Sequence, residues 1–304
     1  NLGRNAINPF ENLYHVLFFG VIILTLLRRY RTALLLGLLL AICHPFSSIE
    51  LILVMLSWSC LERYFWKNRE LPAQFAGGWL VLLLLYAGYY GLFLNSFASH
   101  KLIQRQAAEP WLLDAASFIP AYILAGGLAL WAMRDWTRLQ AILAERRNRL
   151  FLVWFLAAFA LANHEFAIKP YQPIHFTRGY IWTPLFLLGA PVLLELFEKL
   201  TGSAKRLVRY GGVAIVCAVM FCDNAAWFSA LAYERHTMSR EYHLLGFQSD
   251  VMTWLNNNSE AYPRALVVSE ESFIGHYLAT YAPFRAWASH LHLTPEYAVK
   301  CDEI

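Results

Sequence analysis

Apolar residues in this chain come in long blocks separated by short Arg-rich strings, and that alternation constrains the fold more than any motif does. A bilayer core about 30 Å thick takes about 20 apolar residues as an α-helix. Eight blocks have that character: Leu13–Leu27, Thr32–His44, Phe46–Leu61, Phe75–Phe97, Leu112–Met133, Leu150–Ala162, Tyr180–Phe197 and Gly211–Ala232, the second and sixth being short. Charged residues make up 15% of the chain, against roughly 25% in a soluble globular domain. The layout predicts an all-α polytopic membrane domain of about eight transmembrane helices over residues 1–233, and it excludes disorder, collagen and a disulfide scaffold. The chain opens at Asn1 without Met or signal peptide and stops at Ile304 in mid-pattern, so it reads as a fragment.

The cations supply the orientation, because Lys and Arg concentrate in cytoplasmic loops. With Asn1 outside, the inner loops hold Arg28–Arg31, Arg63–Arg69, Arg134–Arg149 and Lys199–Arg209, while the outer loops hold few cations. Read as one kinked crossing, Arg31 to Trp66 would invert everything downstream and put Arg134–Arg149 outside, so charge favours two crossings joined at HPFSS. Pro45 gives that break a local cause, since it has no amide donor and disfavours helical geometry at His44. The formal net charge of +4 sits at helix ends, so no nucleic-acid partner is implied. Five cysteines lack metal spacing, and Cys43, Cys60, Cys217 and Cys222 fall in apolar segments as small hydrophobes.

The second block covers only about 20 Å at 1.5 Å per residue. The HPFSS turn is therefore expected below the outer surface, as the floor of an outward-open vestibule lined by His44, Ser47, Ser48 and Glu50. The same residues also fit a tight turn with Ser47 or Ser48 as N-cap and Glu50 in the first helical turn. Gly126-Gly127 and Gly211-Gly212 read as helix-packing positions.

From residue 234 to 304 the composition turns to a mixed soluble pattern. It predicts a small extracytoplasmic α/β tail, truncated at its end, that cannot bury much core by itself. Asp250 to Leu255 reads as a helix with Val251, Trp254 and Leu255 on one face. AYPRALVVSEE reads as a turn and a buried strand, followed by a helix, a turn and a second strand.

Polar residues at membrane depth are costly unless used or paired. Their densest group is the outer loop NHEFAIKPYQPIHFTRGYIW, with His164, Glu165, Lys169, Tyr171, His175, Arg178 and Trp182. Cations for phosphate oxygens, a carboxylate for proton transfer and rings to stack on a sugar or prenyl chain are all present. An interfacial loop anchored at the headgroups would use the same Arg, Lys, Tyr and Trp, though it needs neither the two histidines nor the glutamate. Asp223 is a lone intramembrane acid, either a proton or substrate site or a hydrogen-bonding partner of a neighbouring helix. The outer-face histidines argue against haem or chlorophyll ligation. No HxxxH or HExxH spacing marks a metal, which leaves a divalent cation an option without a motif behind it.

The strings QPIHFTRGYIWTPL, NPFENLYHVLF and HPFSSIELIL, with the tail pattern WLNNNSEAYPRALVVSEESFIGHYLATYAPFRAWASHLHLTPEY, resemble the later part of bacterial polytopic glycosyltransferases of the GT-C superfamily. The resemblance implies an enzyme of the bacterial inner membrane that transfers a sugar from a polyprenyl-phosphate carrier on the extracytoplasmic face. It also implies an acidic catalytic residue in a first outer loop, which here would precede Asn1. Lys169, His175 and Arg178 match a cluster that holds a lipid phosphate. His175 or His44 would then orient the donor, Glu165 with His164 would serve as acid and base, and Tyr171 and Trp182 would contact sugar or lipid. Membrane lipids and a lipid-linked sugar are the expected partners. A non-catalytic membrane scaffold, or a transporter using Asp223 and the broken second helix, are the rival readings.

Overall fold

The computed structural model describes residues 9–106, 115–169, 173–177, 180–233, 246–263, 265–270, 272–289 and 294–303. It is mostly helical, with two short strands among the described residues. Each of the eight apolar blocks falls on a helix: α1 (Pro9–Leu26), α2 (Tyr30–Cys43), α3 (Pro45–Cys60), α4 (Ala73–Tyr86), α6 (Ala115–Ala132), α8 (Arg146–Ala162), α9 (Trp182–Thr201) and α10 (Arg206–Tyr233). Two short helices intervene, α5 (Ala98–Gln106) and α7 (Trp136–Ala144). Helix α3 runs on through a π-helical turn, Leu61–Phe65, and α4 through a π-helical stretch, Ala87–Phe93. With these extensions two helices among the described residues are long and apolar enough to cross a membrane, Pro45–Phe65 and Ala73–Ser96. Helices α1 and α2 and the Tyr122–Ala132 part of α6 are shorter apolar helices.

The chain divides into two compact units, Asn1–Leu92 with Pro110–Asp223, and Phe93–Glu109 with Asn224–Ile304. In the first, α3 is the central element, packed on α2, α4 and α8, while α9 packs on α6 and α8. Its core joins Phe18, Leu51, Met55, Trp58, Trp79, Trp154 and Tyr180, all fully buried. Arg28 closes the α1–α2 turn with φ 61°, a left-handed conformation that a non-glycine residue adopts at a cost.

Three arrangements explain why these helices stay together. Pro45 has no N–H to give to Ala41 O, the carbonyl four residues back, and that carbonyl instead accepts from the Tyr90 hydroxyl at 2.9 Å. The break between α2 and α3 is thus sealed from the π-helical part of α4. At the other end of α3, the buried Glu62 carboxylate accepts from Arg149 Nε and Nη2, while Arg149 Nη1 donates to Leu143 O and Ala144 O. Close by, Arg146 lies 4.8 Å over the Trp58 ring and donates to the Tyr30 hydroxyl.

Glycines set the closest approaches. A Cβ on Gly189 of α9 would stand 2.5 Å from Leu128 Cβ and 2.9 Å from Ala129 N of α6, so only glycine fits there. The expectation for Gly126-Gly127 is corrected: a Cβ on Gly127 would meet nothing within 4 Å, and on Gly126 only Tyr122 of its own helix. The small residue that admits the neighbour lies on the other helix. Gly212 does meet a neighbour, Leu200.

The second unit holds α5, α11 (Gly246–Asn257), β1 (Leu266–Val267), α12 (Ser272–Tyr281), β2 (Arg285–Ala286) and α13 (Tyr297–Asp302). β1 and β2 pair in parallel, Leu266 with Arg285 and Val267 with Ala286, and α12 is the crossover that parallel strands require. Met252, Leu255, Ile274, Tyr277, Leu278 and Phe284 form its core. The expected face of the first tail helix is corrected. The helix begins at Gly246, and its buried stripe is Gln248, Met252 and Leu255, which leaves Val251 and Trp254 exposed.

Candidate functional site

The residues around the α2–α3 break form a polar and aromatic group in the first unit. His44, extended at φ −150°, caps α3: its Nδ1 accepts from Ser47 N at 3.1 Å. The cap is therefore His44 and neither Ser47 nor Ser48, whose hydroxyl instead donates to Pro45 O. The imidazole of His44 stacks on Tyr14 at 4.1 Å between centroids and faces the His175 ring at 5.9 Å. His175 stacks nearly parallel on Phe46 at 4.3 Å. Phe176 meets Phe46 edge-on and meets the His164 ring edge-on as well. His164 Nδ1 lies 2.5 Å from Leu161 O, which places a proton on that nitrogen as donor. Tyr180 completes the group: its hydroxyl donates to Ser47 Oγ, and its ring lies 4.0 Å from Phe18 and 5.2 Å from His15.

Four histidines from four parts of the sequence thus meet in one aromatic assembly: His15 on α1, His44 at the head of α3, and His164 and His175 on the 3-10 turns His164–Phe166 and Pro173–Phe176. Imidazole offers both a donor and an acceptor, and the rings offer flat apolar faces. Among the described residues no group of three His, Cys, Asp or Glu is placed to hold a metal ion.

The open vestibule expected here is corrected. Ser47, Ser48 and Glu50 are fully buried; the Tyr180 hydroxyl donates to Ser47, and the turn Pro173–Phe176 packs on α3. Both Glu50 carboxyl oxygens lie in that packed interior without a hydrogen-bond partner among the described residues. Burying a carboxyl group unpaired is expensive, and such groups concentrate at functional positions.

Of the candidates drawn from the sequence, His44, His164 and His175 are brought together. Trp182 instead faces the Tyr122 ring at 5.9 Å, Glu165 is half-buried on the His164 turn, and Lys169 is exposed. Tyr171 and Arg178 lie outside the described residues, as does the side chain of Asp223. Sequence reasoning missed His15 and Tyr14 as members of the site. The available signal was a histidine inside an apolar block, where anchoring gives no reason for one.

No family model, no curated protein and no solved structure matches the chain.

Proposed function

We infer that this is a polytopic membrane protein of the bacterial inner membrane, with about eight crossings and an extracytoplasmic N-terminus and tail. We infer further that it works as a GT-C-type glycosyltransferase using a polyprenyl-phosphate sugar. The membrane reading is supported by the two long apolar helices and by large apolar side chains left exposed along the first unit, among them Leu35, Ile42, Leu80, Leu84 and Leu130. The functional reading rests on one observation, the gathering of His15, His44, His164 and His175 with Tyr14, Phe46 and Tyr180 at a broken helix. In this reading the imidazoles donate to the leaving phosphate, Lys169 and Arg178 neutralise it, and the aromatic faces carry sugar or prenyl chain. Glu165 is the acid and base of the same loop.

The test is conversion of a radiolabelled polyprenyl-phosphate sugar by membranes containing the chain. His44→Ala and His175→Ala should each lower turnover by about 100-fold, in the range of a lost acid–base or oxyanion contact. Full turnover in both variants removes the reading.

One observation favours a second reading, a proton-coupled transporter: the buried Glu50 carboxyl beside the helix break. Glu50→Gln should then abolish pH-driven uptake in vesicles, and uptake equal to that of the unaltered chain removes this second reading.

A further inference from the structure

Between α6 and α9 the first unit holds a cleft of about 420 Å³, lined by Gly127, Leu128, Trp131, Val192, Leu196 and Lys199. It begins just past the point where Gly189 presses on Leu128, and Pro191, which cannot donate a helical hydrogen bond, follows within α9. The floor is open because Gly127 has no side chain and no neighbour within 4 Å of where a Cβ would stand. Three of the lining side chains, those of Leu128, Val192 and Leu196, make the walls aliphatic.

Charge gathers at one end. Lys199 lines the cleft, and the Arg134 guanidinium lies 5.0 Å over the ring of Trp131, another lining residue. Glu195, one turn before Lys199, is the single carboxylate among the lining residues. Glu195 and Lys199 cancel, the neighbouring Asp135 is paired with Arg138, and Arg134 therefore leaves a net positive charge beside an aromatic ring, the combination found where a membrane helix meets the headgroups. We propose that this cleft is a binding site for an anionic glycerophospholipid, with one acyl chain along Leu128, Val192 and Leu196 and the phosphate between Lys199 and Arg134. A singly charged phosphodiester makes the charges at the mouth sum to zero; a zwitterionic headgroup leaves them unbalanced. The position is separate from the histidine assembly, which is built by other helices and turns.

The inference rests on the membrane-embedded reading, and one pair of measurements tells their failures apart. Membranes containing the full chain are first washed in alkaline carbonate; release of the chain overturns the membrane reading and this inference with it. The detergent-purified full chain is then titrated with phosphatidylglycerol or phosphatidylcholine and the bound-lipid fraction read by native mass spectrometry. The expected result is a preference of about tenfold for phosphatidylglycerol, the worth of one charge-assisted contact. The preference should be lost in Lys199→Gln and Arg134→Gln, and all lipid retention should fall in Gly127→Leu, which fills the floor. Gly127→Ala is the folding control, since its methyl has free space. Retention of the chain in washed membranes with equal binding of both lipids, or a Gly127→Leu protein of normal thermal stability that still binds phosphatidylglycerol, overturns the proposal alone.

Discussion

Removing the Glu62 carboxylate should unfold the first unit more readily than removing any exposed charge. Glu62 is fully buried and Arg149 nearly so, and the guanidinium stands 5.0 Å over the Trp66 ring, which closes the pair from solvent. Glu62→Ala leaves Arg149 with only Leu143 O and Ala144 O, at 2.7 and 2.9 Å, and strands a positive charge in the interior. A buried pair broken on one side costs about 3–5 kcal/mol. Arg149→Met strands the carboxylate instead, with Asn68 Nδ2 at 3.0 Å still donating to it, and also uncaps the two carbonyls at the end of α7; the loss should be at least as large. The double variant Glu62→Met/Arg149→Leu strands neither charge, and should be more stable than either single one. At roughly 2–4 °C per kcal/mol, the single variants should melt roughly 6–20 °C lower. Circular dichroism of the detergent-purified protein reads the melting curve. Single variants that lose under about 1 kcal/mol would match an exposed ion pair and refute the reasoning. A double variant whose loss equals the sum of the singles would refute it as well.

Other substitutions test the remaining contacts. Tyr90→Phe deprives Ala41 O of its donor and should cost about 1–3 kcal/mol, measured by the same melting curve, with no change if water takes the place of the hydroxyl. Gly189→Ala should destabilise by about 1–3 kcal/mol through its collision with α6, whereas Gly127→Ala should be neutral or stabilise by up to about 1 kcal/mol; equal effects would show that the two helices do not touch at Gly189. His44→Ala removes the cap of α3 and should cost about 0.5–2 kcal/mol, largely restored by His44→Asn.

Much of the helical layout was legible because each long apolar block is bounded by charged residues or a helix breaker. Pro45 marked its own break, since a missing donor acts locally. The closure over Ser47, Ser48 and Glu50 was not legible: it depends on Tyr180 and Phe176 arriving from more than 120 positions away, and no local pattern records that. Arg149 illustrates the same limit. As one arginine in a basic loop it read as a cytoplasmic charge, whereas in the fold it meets Glu62, buried on the π-helical turn Leu61–Phe65. Gly127 was misread because a small residue admits a neighbour only if one comes, and here the neighbour's own Gly189 already made the approach.

The hydroxyl that seals the α2–α3 break also sets a schedule for biosynthesis. Tyr90 lies 49 residues after Ala41, so the ribosome adds it roughly 2–10 s later at ordinary elongation rates. Throughout that interval the carbonyl lacks the hydroxyl it accepts from in the folded chain. The junction of α2 and α3 is therefore completed only once the π-helical part of α4 has been added to the chain.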